Sequence, residues 1–98
     1  MRSLTPSEAA GIATAERPVL DLRTRLERWA FGAPVHSVKV SLLRHAIRPD
    51  VDAVYLCQHA LRSKLPAARG ATEVAGGFRR WKEDGIEATP PHVPYGPG

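Results

Sequence analysis

The sequence predicts an α/β domain, small and three-layered, with a mainly parallel sheet flanked by helices. Three observations carry that prediction. Short apolar runs of strand character alternate along the chain with segments that have helical spacing or helix-start chemistry, and such alternation builds βαβ units. Thr-x-x-Glu occurs at Thr5–Glu8 and at Thr24–Glu27, the reciprocal signature of a helix N-terminus. The apolar run Ala53 to Leu56 leads straight into Cys57, the only cysteine of the chain. In open parallel sheets, ligands bind beyond the carboxyl ends of the strands, so strand order and chemistry point to one place.

The elements follow in order. Thr5 caps a first helix, Pro6 suits its first position, and Ala9, Ala10, Ile12 and Ala13 give it a weak apolar face that ends near Glu16. Arg17-Pro18 breaks it. Val19 to Leu22 is a short buried strand. Thr24 to Phe31 is a helix whose Leu26, Trp29 and Ala30 share one face, and Gly32-Ala33-Pro34 ends it. Val35, Val38 and Val40 form a short strand, Leu42 to Ala46 a helical turn, and Arg48-Pro49-Asp50 a turn. Ala53 to Leu56 is the most strand-like run. Arg62 to Arg69 is a short helix that tolerates Pro66 only within its first turn. Thr72-Glu73-Val74 is the last strand, Gly76-Gly77 turns it into a helix from Phe78 to Glu83, and Gly85 stops that helix. Trp29 and Trp81 are both read as core. From Thr89 to Gly98 the chain holds four prolines and two glycines, the composition of a mobile tail. The expected organisation is one domain over residues 1–90 and a Pro/Gly-rich tail over 91–98.

Composition narrows the function classes. The 98 residues, 43% hydrophobic and 24% charged, suit one globular domain with one modest core. No apolar run approaches the roughly 20 residues that span a bilayer, and the start lacks a secretory h-region. The expectation is therefore no membrane association and a cytoplasmic, reducing compartment. One cysteine forms no internal disulfide and no thiolate-rich zinc site, and His36, His45 and His92 lack ligand spacing, so no metal and no cofactor are expected. The net charge is +4, but the arginines are scattered and the longest basic run is the pair Arg79-Arg80. That argues against nucleic acid. A diffuse positive field suits small anions or an acidic protein partner.

Four stretches carry a resemblance. Cys57-Gln58-His59-Ala60-Leu61-Arg62-Ser63 after an apolar strand resembles the active-site loop of the rhodanese, or thiosulfate sulfurtransferase, family. Val19-Leu20-Asp21-Leu22-Arg23 is similar to that family's first strand with its Asp-x-Arg ending. Glu27 to Gly32 is similar to the helix that follows. Val74-Ala75-Gly76-Gly77-Phe78-Arg79-Arg80-Trp81, with Gly85-Ile86 beyond, is similar to its closing Gly-Gly-x-x-x-Trp signature. The stretches stand in the family's order and span roughly residues 4 to 90. Three features depart from the pattern. Gly32-Ala33-Pro34-Val35-His36-Ser37 lacks the family's histidine and second glycine in register. Ala60 stands where many members have glycine, which costs about 1 kcal/mol if the position needs a positive φ. The helix after the loop is shortened.

The resemblance implies a rhodanese-like fold and a sulfurtransferase in which Cys57 takes sulfur from a small anionic donor such as thiosulfate, or from a persulfide, and passes it to a thiophilic acceptor. A protein sulfur donor or acceptor is a further partner it implies. The alternatives are a rhodanese-fold interaction or regulatory module with little turnover, and a protein-to-protein sulfur relay. Free cysteine titrates at about 8.5, and backbone N–H groups curled around the sulfur favour its anion. Taken alone, Cys57 also reads as a small buried hydrophobe. Gln58, His59, Ala60, Leu61, Arg62 and Ser63 form the anion-binding loop. Arg62 either touches substrate or braces the loop through a carboxylate. His59 either steers an anionic donor or is simply solvated. Asp21 and Arg23 support the loop from the end of the first strand, with Arg23 the better substrate contact of the two. The spacing of Cys57 and Arg62, five positions, is one short of the related phosphatase and arsenate-reductase loops and suits a single sulfur better than a tetrahedral oxyanion.

Overall fold

In the computed structural model, which describes residues 2–92, seven strands and five helices follow one another in the order β1 (Arg2–Leu4), α1 (Pro6–Ile12), β2 (Val19–Asp21), α2 (Arg25–Phe31), β3 (Ala33–Pro34), β4 (Ser37–Lys39), α3 (Leu42–Ile47), β5 (Val54–Leu56), α4 (Lys64–Ala67), β6 (Thr72–Val74), α5 (Gly77–Glu83) and β7 (Ala88–Thr89). Five strands form one sheet in the order β1-β6-β5-β2-β4, and every pairing in it is parallel. Helices flank it, so the predicted α/β architecture is the observed one. Among the described residues no helix is long and apolar enough to cross a membrane.

The sheet has a core on each face because side chains alternate along a strand. Val54 and Leu56 of β5 pack with Val19, Val74, Ala9, Phe78 and Trp81. Tyr55, between them, faces the other way with Cys57, Leu22 and Ala71. The Tyr55 hydroxyl accepts from the Asp50 N–H at 2.8 Å and lies 2.6 Å from His45 Nδ1, which ties α3 to β5. Burial is the first cause that lowers the His45 pKa and raises that of Tyr55.

Both capping boxes form. Thr5 accepts from the Glu8 N–H at 3.1 Å and Thr24 from the Glu27 N–H at 3.1 Å, while each glutamate accepts from its threonine's N–H at 2.9 Å.

The differences from the sequence reading have physical causes. α1 stops at Ile12, well short of Glu16, because Thr14 and Arg17 close a turn in which Arg17 N–H donates to Thr14 Oγ1 at 3.0 Å. Arg2–Leu4 carries no apolar alternation, yet it pairs in register with Thr72–Val74 as an edge strand. Ala33–Pro34, expected only to end a helix, pairs antiparallel with Ala88–Thr89 in a second, two-stranded sheet. α4 is Lys64–Ala67 rather than Arg62–Arg69. Trp81 is core, but Trp29 is 46% and Leu26 71% exposed; the buried position of α2 belongs to Arg28, whose guanidinium reaches Asp21 at 3.4 Å. Trp29 instead meets the His92 ring at 4.5 Å, and the His92 N–H donates to its carbonyl. The rest of the expected tail, 93–98, lies outside the described residues.

Candidate functional site

The central strands β2, β5 and β6 are neighbours in the sheet, and three chain segments leave their carboxyl ends together. β5 delivers Cys57, β2 delivers Arg23, and β6 delivers Gly76-Gly77. Cys57 is a free thiol, fully buried. From it the chain runs through Gln58, His59, Ala60, Leu61 and Arg62 to Ser63, which precedes α4.

The loop is held from outside. The Phe78 N–H donates to the Cys57 carbonyl at 2.8 Å and the Arg79 N–H to the Gln58 carbonyl at 3.0 Å, so the first turn of α5 sits directly on the loop's backbone. Gly77 permits that approach. Its φ is +65°, and a Cβ there would lie 2.4 Å from the Cys57 carbonyl oxygen and 2.8 Å from the Ala60 nitrogen. The loop's own donors are not used up by these contacts. Among the described residues no backbone N–H from Gln58 to Ser63 donates to a protein acceptor. Native chains leave few backbone donors unpaired, and a concave run of such donors is an anion cradle.

Asp21 and Arg23 form the brace at the end of β2, and both are fully buried. Arg23 Nε donates to Asp21 Oδ1 at 3.0 Å and Nη2 to Oδ2 at 2.8 Å. The same guanidinium donates through Nη1 to Gln58 Oε1 at 3.1 Å and through Nη2 to the Gly32 carbonyl at 2.8 Å, and stacks over the Phe78 ring at 4.2 Å. Arg23 is thus spent on the loop, on the end of α2 and on α5. These partners give Arg23 the supporting role at the end of β2.

Arg62 takes the bracing position. Its Nη1 and Nη2 donate to Glu27 Oε1 and Oε2 at 2.6 and 2.5 Å, a fork-on-fork pair that ties the loop to α2. The hydrogen bonds from Arg62 lower the Glu27 pKa to about 2, against the cost of burial and helped by the Thr24 N–H. The Arg62 pKa is raised by the same pair first, with a smaller contribution from the charge of Cys57. His59 and Leu61 are exposed at the rim.

A polar line runs inward from the sulfur. Cys57 Sγ lies 3.6 Å from Ser63 Oγ, and Ser63 Oγ lies 3.4 Å from Glu73 Oε2. Lys64 Nζ donates to Glu73 Oε1 at 2.6 Å. Sequence reasoning missed Glu73, Lys64, Glu27 and Arg28 as parts of this region. Glu73 left a readable signal, since a carboxylate inside a short buried strand is rare without a partner. Glu27 had already been given a role as a cap, which hid its second one.

Ala60 has φ +61° and is 6% exposed, so the position does use the left-handed region that alanine pays for. Ala60→Gly is expected to raise stability by about 1 kcal/mol. Urea denaturation checks it, and an unchanged or lower midpoint would mean that the loop is not strained there.

No family model matches the chain, and no curated protein matches it. Solved structures do. A rhodanese-related protein from Thermoplasma volcanium is 23% identical with a TM-score of 0.72, over 91% of this chain and 98% of that one. A rhodanese-like domain protein from Staphylococcus aureus is 22% identical with a TM-score of 0.59, over 89% of this chain and 97% of that one. A protein of unknown function from Rhodopseudomonas palustris, described as a possible tyrosine phosphatase, is 20% identical with a TM-score of 0.72, over 90% of this chain and 84% of that one. The chain has the rhodanese-like fold.

Proposed function

We propose that the protein is a sulfurtransferase that carries a sulfane sulfur on Cys57. The observation that carries this reading is the loop itself: a buried thiol opens a run of backbone N–H groups that have no acceptor among the described residues. Those donors suit a sulfur anion, and the brace of Arg23, Arg62 and α5 keeps them in place without occupying them.

The reaction balances without a metal or a redox partner. The Cys57 thiolate attacks the outer sulfur of thiosulfate or of a persulfide donor. A new S–S bond forms, the donor's own bond to that sulfur breaks, and sulfite or a thiolate leaves with the electron pair. Cys57 then bears a terminal persulfide sulfur, which a thiolate or cyanide attacks, regenerating the Cys57 thiolate. This is covalent catalysis by an activated nucleophile. A cytoplasmic, reducing compartment would keep the single cysteine in its thiol form, and a protein donor or acceptor would dock over the exposed rim at His59 and Leu61.

A phosphatase reading, suggested by the description of one structural neighbour, has less support. Its loop needs a free arginine for the phosphate, whereas Arg62 is forked onto Glu27. A rhodanese-fold interaction module without turnover remains the second reading, supported by the strain at Ala60 and the four-residue α4.

The test is intact mass after the reduced protein is incubated with thiosulfate, beside Cys57→Ser. The expected result is a gain of one sulfur atom, reversed by cyanide or dithiothreitol and absent from the variant. No gain in the folded protein would sink the transfer reading and leave the interaction module.

A further inference from the structure

Glu73 is a carboxylate that sulfur transfer does not call for. It is 2% exposed in the middle of β6, and the pleat places it on the Cys57 side of the sheet. It stands in register with Tyr55, and Tyr55 shares its core cluster with Cys57. Burying a carboxylate is costly unless it is paired. Lys64 supplies that pairing at Oε1, where Ser3 Oγ also lies at 3.4 Å. The other oxygen faces Ser63.

Ser63 is fully buried between two groups that both want its hydroxyl. With Cys57 as a thiol, every need is met: the S–H donates to Ser63 Oγ, and the Ser63 O–H donates to Glu73. With Cys57 as a thiolate, the sulfur becomes an acceptor. One hydroxyl proton then faces two anions, and it can serve only one of them. At 3.4 Å the bond to Glu73 is long for a hydroxyl on a carboxylate, so the proton is free to be re-aimed.

We propose that Glu73 sets the ionisation of Cys57 by competing with its sulfur for the hydroxyl proton of Ser63, with Lys64 as the counter-charge that limits the competition. This deepens the transfer reading and rests on Cys57 being the nucleophile. Glu73 is a positioning residue, acting through Ser63. No bond between heavy atoms changes; on ionisation the S–H bond breaks with its electron pair left on the sulfur, the proton passes to solvent, and the Ser63 O–H turns from the carboxylate to the sulfur. The other charged or titratable side chains near the sulfur have first partners of their own, although Arg62 also feels the charge of Cys57. Arg62 is held by Glu27 of α2, Arg23 and Arg28 by Asp21 at the end of β2, and His45 of α3 by Tyr55.

The test follows the ultraviolet absorbance of the thiolate against pH, with the Cys57→Ser signal subtracted. Glu73→Gln removes the charge and gives Ser63 a donor in its place. The midpoint is expected to fall by about one pH unit, and on a Ser63→Ala background the same change is expected to fall well short of that. An unchanged midpoint, a rise, or full additivity with Ser63→Ala would overturn the proposal. Should Glu73→Gln not fold, Lys64→Met, at a half-exposed position, strips Glu73 of its cation and is expected to raise the midpoint; no shift would overturn the proposal equally. Thiosulfate loading of the same samples keeps the two readings apart. A protein that titrates as expected and never takes up sulfur sinks the transfer reading alone.

Discussion

Gly77→Ala is expected to lose sulfur loading and about 2–5 kcal/mol of stability together. The strain of a left-handed alanine contributes about 1–2 kcal/mol, and the overlap adds about 1–3 kcal/mol. The atoms a Cβ would meet are the Cys57 carbonyl oxygen at 2.4 Å, the Ala60 nitrogen at 2.8 Å and the Gln58 carbonyl carbon at 2.8 Å. All belong to backbone, so no side-chain rotation relieves the clash. α5 must retreat from the loop, and the bonds from Phe78 and Arg79 to the loop carbonyls stretch with it. Against a total stability of about 5–15 kcal/mol, such a loss is severe. Urea denaturation and thiosulfate loading measure both effects. A variant as stable and as readily loaded as the parent would mean that α5 does not seat the loop.

Asp21→Asn is expected to cost about 3–5 kcal/mol, the usual range for breaking a buried ion pair from one side. Asp21 is the carboxylate for two guanidiniums, Arg23 at 2.8 Å and Arg28 at 3.4 Å, and its side chain is 0% exposed. The amide keeps the shape but not the charge, and leaves two buried cations beside a neutral group. The effect reaches the loop because Arg23 also holds Gln58 and the Gly32 carbonyl. The urea midpoint is the readout. A loss below about 1 kcal/mol, the level of a solvent-exposed pair, would show that the cluster is hydrated rather than sealed.

The sheet was legible in the sequence wherever burial leaves a pattern. Val19–Asp21, Val54–Leu56 and Thr72–Val74 are short runs built around apolar or β-branched residues and bounded by turn or helix signals, and those cues find them. The helix starts at Thr5 and Thr24 were legible because capping is local chemistry. What could not be read is what depends on distant partners. Arg2–Leu4 becomes a strand only because β6 offers it an edge. Arg28 turns inward, and Trp29 outward, because Asp21 waits on β2 to receive a guanidinium. For the candidate site, the sequence marked Cys57 and the loop but not its fixings. Glu27 meets Arg62 across 35 residues of chain, a pairing no local pattern records.

The sulfur of Cys57 is covered on every side, with no exposure to solvent. Reagents should therefore sort by bulk as well as by chemistry: a slim anion or a narrow thiol reaches the sulfur with little displacement, while a wide one waits for the loop to breathe. The same roof would shelter a stored sulfur from water and stray oxidants, and let it go only to a recipient able to lift the cover.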